Sequence, residues 1–217
     1  MIPVVLEDVH YTWDEQGDPL FAGLDVEMPE GMVSLMGENG TGKSSFLLLA
    51  GGVLLPQKGR VLINGLNSAS LRDETVRHEQ VSFIYQNLEF ESEEPIQDLL
   101  QFVHDNGFHQ EKDPDLLDEL VRVFELERIL GKRTGEVSKG ELQRTILAFS
   151  LLYGSPIVMM DEPVFAMEDG QKRRAFEFLV DYARRNQVSI YYSVHELELS
   201  QEYSEETKTE RAGEYWA

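Results

Sequence analysis

Gly37-Glu38-Asn39-Gly40-Thr41-Gly42-Lys43-Ser44 fits the pattern G-x-x-x-x-G-K-[ST], and the residues flanking it decide the fold. Residues 32–36 form a short apolar run that reads as a strand, and 44–55 have the apolar density of a buried helix. Strand, glycine-rich loop and helix therefore follow in the order a phosphate site requires. The glycines let the backbone wrap an anion, so that successive N–H groups and the start of the helix converge on one phosphate. In such a loop Lys43 reaches the β- and γ-phosphates of a nucleotide and the Ser44 hydroxyl ligates Mg²⁺; Ser45, next in the chain, belongs to the same candidate set.

A phosphate loop needs carboxylates on the metal side, and one further stretch offers them. Ile157-Val158-Met159-Met160-Asp161-Glu162 is an apolar strand that ends in charge, at the carboxyl edge where open parallel sheets bind ligands. Asp161 is the candidate Mg²⁺ ligand and Glu162 the group that orients and polarises an attacking water. The alternative is that the pair merely caps the next segment. Gln86 and His195 each follow a β-rich stretch and can reach the same edge; a surface glutamine and a helix-capping histidine are the competing readings.

The remaining pattern predicts an α/β fold. Residues 4–13 alternate as a strand, turns fall at 14–19 and 29–31, and 20–28 is a second apolar stretch; 59–64 with Gly65 reads as an edge strand and turn. Character changes over 88–135, which is acidic with helical periodicity in Ile96, Leu99, Leu100 and Val103, and again in Leu116, Leu117, Leu120, Val121 and Phe124. Pro95 suits the first turn there. A helix over 142–153 with Leu142, Ile146, Phe149 and Leu152 along one side, a helix over 171–186 with a basic face, and a strand over 188–194 complete the chain. Apolar strands alternating with helices imply a mostly parallel sheet covered on both faces.

Composition narrows the function classes. Forty acidic residues against nineteen basic ones give a net charge of -21, which repels a nucleic-acid backbone. The stretch 84–119 holds eleven Asp or Glu against Lys112 alone, and either docks a basic partner or is a solvated face. Cysteine is absent, excluding disulfides, a thiol nucleophile and thiolate metal sites. No apolar run reaches the 18 or so residues of a membrane-spanning helix, and the N-terminus lacks a secretory pattern. Residence in the cytoplasm is the expectation.

Between the acidic lobe and the apolar strand, Val137-Ser138-Lys139-Gly140-Glu141, followed by Leu142-Gln143-Arg144, resembles the Leu-Ser-Gly-Gly-Gln signature and downstream Gln-Arg of ATP-binding cassette (ABC) ATPases. The resemblance runs from about Leu6 to Leu197. It implies a P-loop NTPase of ABC type: a mostly parallel core with an N-terminal antiparallel β region and an inserted helical subdomain. The expected parts are residues 1–87 as the first part of the core, 88–140 as the helical subdomain leading to the signature, 141–210 as the second part, and 211–217 as a short remnant.

Residue by residue, the resemblance makes Trp13 the aromatic that stacks on adenine, with Tyr11 as the alternative. It makes Gln86 a member of the Mg²⁺ shell that senses a transmembrane partner, and His195 the histidine that contacts the γ-phosphate. Catalysis would rest on Glu162, His195, Lys43 and Gln86; ATP would be held by Trp13, Gly37, Glu38, Asn39, Gly40, Thr41, Gly42, Lys43, Ser44 and Ser45. Ser138 and the Gly140 backbone would come from a second subunit, in a head-to-tail dimer closing on two ATP molecules. The implied cofactors are ATP and Mg²⁺, with Ser44, Gln86 and Asp161 on the metal. The implied partners are a second ABC ATPase subunit and a separate transmembrane permease, placing the chain on the inner face of the cell membrane. The rival is a soluble ABC ATPase regulating a protein partner; a role on nucleic acid is not expected.

Several positions depart from the family pattern. Lys139 replaces glycine and Glu141 replaces glutamine, so that Lys139 attracts phosphate and Glu141 offsets it. Glu168 stands where an aspartate usually crosses the dimer interface, which predicts slow hydrolysis. After His195 the segment 196–209 is charged, so that only 210–217, with Gly213 as a turn, is expected to supply a terminal strand; the chain reads as a minimal cassette.

Overall fold

The computed structural model describes residues 1–14, 17–70, 79–86, 90–108, 113–195 and 201–204, and the backbone of 206–209. Two sheets sandwich one helix. The first is antiparallel, in the order β2-β1-β4-β5, from β1 (Val4–Tyr11), β2 (Phe21–Met28), β4 (Lys58–Ile63) and β5 (Leu66–Asn67). The second is parallel, in the order β6-β7-β8-β3-β9, from β6 (Val81–Ile84), β7 (Ile157–Met160), β8 (Ser189–Ser193), β3 (Met32–Met36) and β9 (Glu206–Thr209). Helix α1 (Lys43–Ala50) fills the space between them, its Phe46, Leu47 and Leu49 packing with Val4, Leu6, Val33, Leu35, Met159 and Tyr191.

Alternation along β7 explains its unbroken apolar run. Ile157 and Met159 join the core around α1, while Val158 and Met160 join the core on the opposite face. Side chains of successive strand residues point to opposite faces, and here both are covered. The opposite face is packed by α4 (Lys139–Tyr153) and α5 (Asp169–Asn186). Helices α2 (Ile96–Asn106) and α3 (Leu116–Val123) bury Ile96, Leu100, Leu116 and Leu120 in that same core, so the helical region is built on α4 rather than on the sheet.

Four expectations are corrected. The first helix stops at Ala50, not residue 55: Gly52 takes φ +69, and the N–H groups of Val53 and Leu54 both return to Leu48 O, at 2.9 and 3.0 Å. The 59–64 strand is not at an edge, because β4 pairs with β1 on one side and, through the left-handed Asn64-Gly65 turn, with β5 on the other. Helix α4 starts at Lys139 rather than at 142, and besides the expected Ile146 and Leu152 it buries Thr145, Leu147, Ala148 and Leu151. A strand forms before residue 210: β9 pairs parallel with β3, Val33 opposite Glu206 and Met36 opposite Thr209. Backbone pairing at a sheet edge does not exclude a charged sequence. Residues 210–217, with Gly213, lie outside the described residues.

Ion pairs fasten the helical region to α5. Glu125 follows α3 and takes the amide of Gln171 at 2.9 Å and the guanidinium of Arg174, while Arg185 reaches Glu119 at 3.1 Å. Arg144 of α4 donates to Phe124 O at 2.8 Å and to Gln171 Oε1 at 3.1 Å. The Gln171 hydrogen bond foremost, then Arg174 and Arg144, hold the Glu125 carboxyl below its usual range. A lowered carboxyl pKa adds stability above the unfolded-state value and loses it as pH falls through the folded value. Glu125→Gln should therefore destabilise at pH 7 by under about 1 kcal/mol, the pair being half-exposed. Urea denaturation should show that difference fading below about pH 4.

Candidate functional site

Gly37 to Gly42 leave β3 as a loop that turns back over the start of α1. Gly40 and Gly42 adopt φ of +84 and +100, conformations that side chains resist. At Gly42 a Cβ would also come within 3.1 Å of Leu20 Cδ1 and 3.3 Å of Phe21 Cζ, so the loop is packed against the start of β2. Thr41 closes it with a hydrogen bond from Oγ1 to Glu38 O at 3.0 Å. Lys43, buried at the first turn of α1, points its ammonium back into the loop and donates to Gly37 O at 2.8 Å and Glu38 O at 2.9 Å.

This loop forms one wall of a hollow of about 670 Å³. Asn39, Gly40, Gly42, Lys43, Ser44 and Ser45 line it from the loop, and Gln86, Glu162 and His195 from the ends of β6, β7 and β8. Trp13 borders it too, 63% exposed, its indole N–H donating to Ser45 Oγ at 3.0 Å. Tyr11 is buried beneath it and meets the Trp13 ring edge-on at 5.3 Å, so of the two aromatics only Trp13 presents a face. Gly37, Glu38 and Thr41 shape the loop behind the lining. Ser138 and Gly140 do not border this hollow.

Glu162 is held on both carboxylate oxygens. Gln86 Nε2 donates to Oε2 at 2.7 Å, and His195 Nε2 lies 2.6 Å from Oε1. The Glu162 backbone takes φ +49, a region disfavoured by roughly 1–2 kcal/mol for a residue with a side chain, and local bonds keep it there. Its N–H donates to Ser193 Oγ at 2.9 Å, and its carbonyl accepts from Gln143 Nε2 at 3.1 Å. Asp161 lies just beneath, buried, with Oδ1 accepting from Ser193 Oγ at 2.7 Å. One hydroxyl thus locks the two adjacent acidic residues together.

Ser193, Gln143 and Phe165 are the residues that sequence reasoning missed. A hydroxyl two places before His195 in an otherwise apolar strand is the signal for Ser193; Gln143 stands in the signature region without a role assigned to it. Phe165, 62% exposed, lines the hollow with the Lys139 ammonium 5.9 Å from its ring centre. Glu141, which stands where the family has glutamine, bonds to its own helix end. Its carboxylate accepts from Ser138 N at 2.7 Å while Ser138 Oγ accepts from Glu141 N at 3.3 Å, a capping box at the start of α4. Those bonds from Ser138 hold the Glu141 carboxyl below its usual range. Glu168, expected at a dimer interface, is the N-cap residue of α5.

The candidate Mg²⁺ ligands fit that ion. Ser44 and Gln86 border the hollow, Asp161 adjoins Glu162, and all three offer hard oxygen donors. Among the described residues no three His, Cys, Asp or Glu side chains gather as a self-sufficient metal cage. Mg²⁺ suits such a setting, because it binds through one or two carboxylates and fills its shell with phosphate oxygens and water.

Comparison with known proteins bears on the family and the fold. The sequence profile of the ABC transporter family matches residues 21–165. The chain is 29% identical over 197 residues to the energy-coupling factor transporter ATP-binding protein EcfA1 of Halalkalibacterium halodurans, covering 89% of this chain and 70% of that one. It is 27% identical over 180 residues to the molybdenum import ATP-binding protein ModC of Paramagnetospirillum magneticum, covering 81% of this chain but 49% of the relative. Among solved structures, the dimeric ATP-binding cassette MJ0796 bound to ADP and Pi superposes with a TM-score of 0.83 at 20% identity, over 99% of this chain and 97% of the other.

Removing the Ser193 hydroxyl leaves Asp161 Oδ1 and the Glu162 N–H without that partner. Ser193→Ala should cost about 1–3 kcal/mol of stability in denaturant titration; a variant as stable as the parent would show the bridge to be dispensable.

Proposed function

This chain belongs to the ABC transporter family, and on that premise we propose that it is the ATP-hydrolysing subunit of a membrane transporter, working as a head-to-tail dimer. The observation that carries the reading is one hollow bounded by a phosphate-type loop with Lys43 and by a carboxylate, Glu162, gripped between Gln86 and His195.

In this reading the exposed Trp13 ring stacks on the adenine, and the N–H groups of 39–44 cradle the phosphates. Lys43 exchanges its carbonyl partners, Gly37 and Glu38, for oxygens of the β- and γ-phosphates. Ser44, Gln86 and Asp161 would hold Mg²⁺, which when bound would neutralise charge on those phosphates. Glu162 gives up its hydrogen bonds to orient a water in line with the γ-phosphorus. It receives the proton as the water oxygen bonds to phosphorus and the bridging bond to ADP breaks. His195, released when Glu162 takes the water, turns its N–H to the γ-phosphate oxygens before the bridging bond breaks.

Ser138 and Gly140 serve the nucleotide held by the other subunit. Ser138 Oγ already accepts from Glu141 N, which leaves its O–H to donate to a phosphate, and the start of α4 favours the negative charge. A groove of about 350 Å³ lined by Phe83, Phe90, Val103, Phe149 and Tyr153 supports docking of a permease helix at the edge of β6. The exposed Glu91, Glu93 and Glu94 follow Phe90 in the chain and favour a basic rim on that helix; Glu89 lies outside the described residues. No helix among the described residues is long and apolar enough to cross a membrane, in keeping with a peripheral subunit on the cytoplasmic face.

ATP turnover per subunit should fall across a wide dilution series, because each site needs both chains; a constant value would contradict the shared site. Glu162→Gln should lower kcat by roughly 10²–10⁴-fold with Mg–ATP affinity retained. Trp13→Ala should weaken nucleotide binding by about 1–3 kcal/mol in calorimetry, with Trp13→Phe recovering most of it.

A further inference from the structure

The Gln143 side chain sits outside the hollow yet holds the segment that aims Glu162. Its amide Nε2 donates to Glu162 O at 3.1 Å, and its Oε1 accepts from Ala166 N at 2.9 Å. A single carboxamide therefore closes the turn from 162 to 166 at both ends. The turn contains the left-handed Glu162, and Phe165 N donates to Glu162 O at 3.2 Å inside it. Gln143 belongs to the second turn of α4, whose first turn touches the same segment. A Cβ on Gly140 would come within 2.7 Å of Ala166 O, and Lys139 lies over the Phe165 ring. The start of α4 and the Glu162 turn are thus joined at three points.

We propose that Gln143 is a positioning residue that fixes the Glu162 carboxylate from behind and ties it to the start of α4. The inference rests on Glu162 being the group that orients water. A shift of α4 when Ser138 meets the other subunit's nucleotide would then be felt at this subunit's own Glu162, linking the two sites through one side chain. A displacement of about 1 Å in such a group can cost on the order of 10²-fold in rate.

The test is a double-mutant cycle on the full chain. Gln143→Leu keeps the bulk and removes both hydrogen bonds. It should lower kcat by roughly 10–100-fold while Mg–ATP affinity by calorimetry stays within about twofold. Gln143→Glu keeps the acceptor for Ala166 N–H and should fall between Gln143→Leu and the parent, which also covers the case in which Gln143→Leu does not fold. In a Glu162→Gln background, adding Gln143→Leu should leave the residual rate unchanged, because a residue acting through Glu162 has nothing left to act on. The same fold-loss in both backgrounds, or an unchanged kcat in Gln143→Leu, would overturn the proposal. If Glu162→Gln alone retained full turnover, the reading of Glu162 itself would fail instead.

Discussion

The site depends on the register of four parallel strands. Ile84 lies opposite Met160, Met160 opposite Tyr192, and Leu35 opposite Ser193, so β6, β7, β8 and β3 end together along one edge. Within one or two residues of those ends come Gln86, the Asp161–Glu162 pair, His195 and Gly37. Side chains far apart in sequence meet because this pairing brings the four strand ends together. A one-residue slip would exchange the side chains on the two faces, and because both cores are close-packed the cost would be the lost fit on each.

Within this frame the acidic pair is gripped by its neighbours. Ser193 bridges Asp161 to the Glu162 backbone, Gln86 and His195 cover the Glu162 oxygens, and the Gly37 and Glu38 carbonyls hold Lys43. Each group is thus satisfied by neighbours with which a nucleotide or a water must compete. Such local pairing restrains polar and charged groups in a partly buried cleft.

The loop and the strand that ends in Asp161 and Glu162 were legible because their signals are local: glycines at fixed spacing, and an apolar run that stops at charge. The strand order was not legible, since pairing between distant segments leaves no local trace. The end of α1 was misjudged because apolar density continues past Ala50 while the Gly51-Gly52 break is conformational. The terminal strand was missed because Glu206 and Lys208 disguise an edge strand whose backbone pairs with β3. Ser193 and Gln143 escaped notice for a similar reason: a hydroxyl and a carboxamide acquire roles only through partners tens of residues away.

The most direct measurement is calorimetric titration of the parent chain and Lys43→Ala with Mg–ATP. The parent should bind one nucleotide per chain, and the variant, shown by circular dichroism to remain folded, should lose most of that affinity. A parent with no measurable affinity, or a variant that binds as tightly, would contradict it.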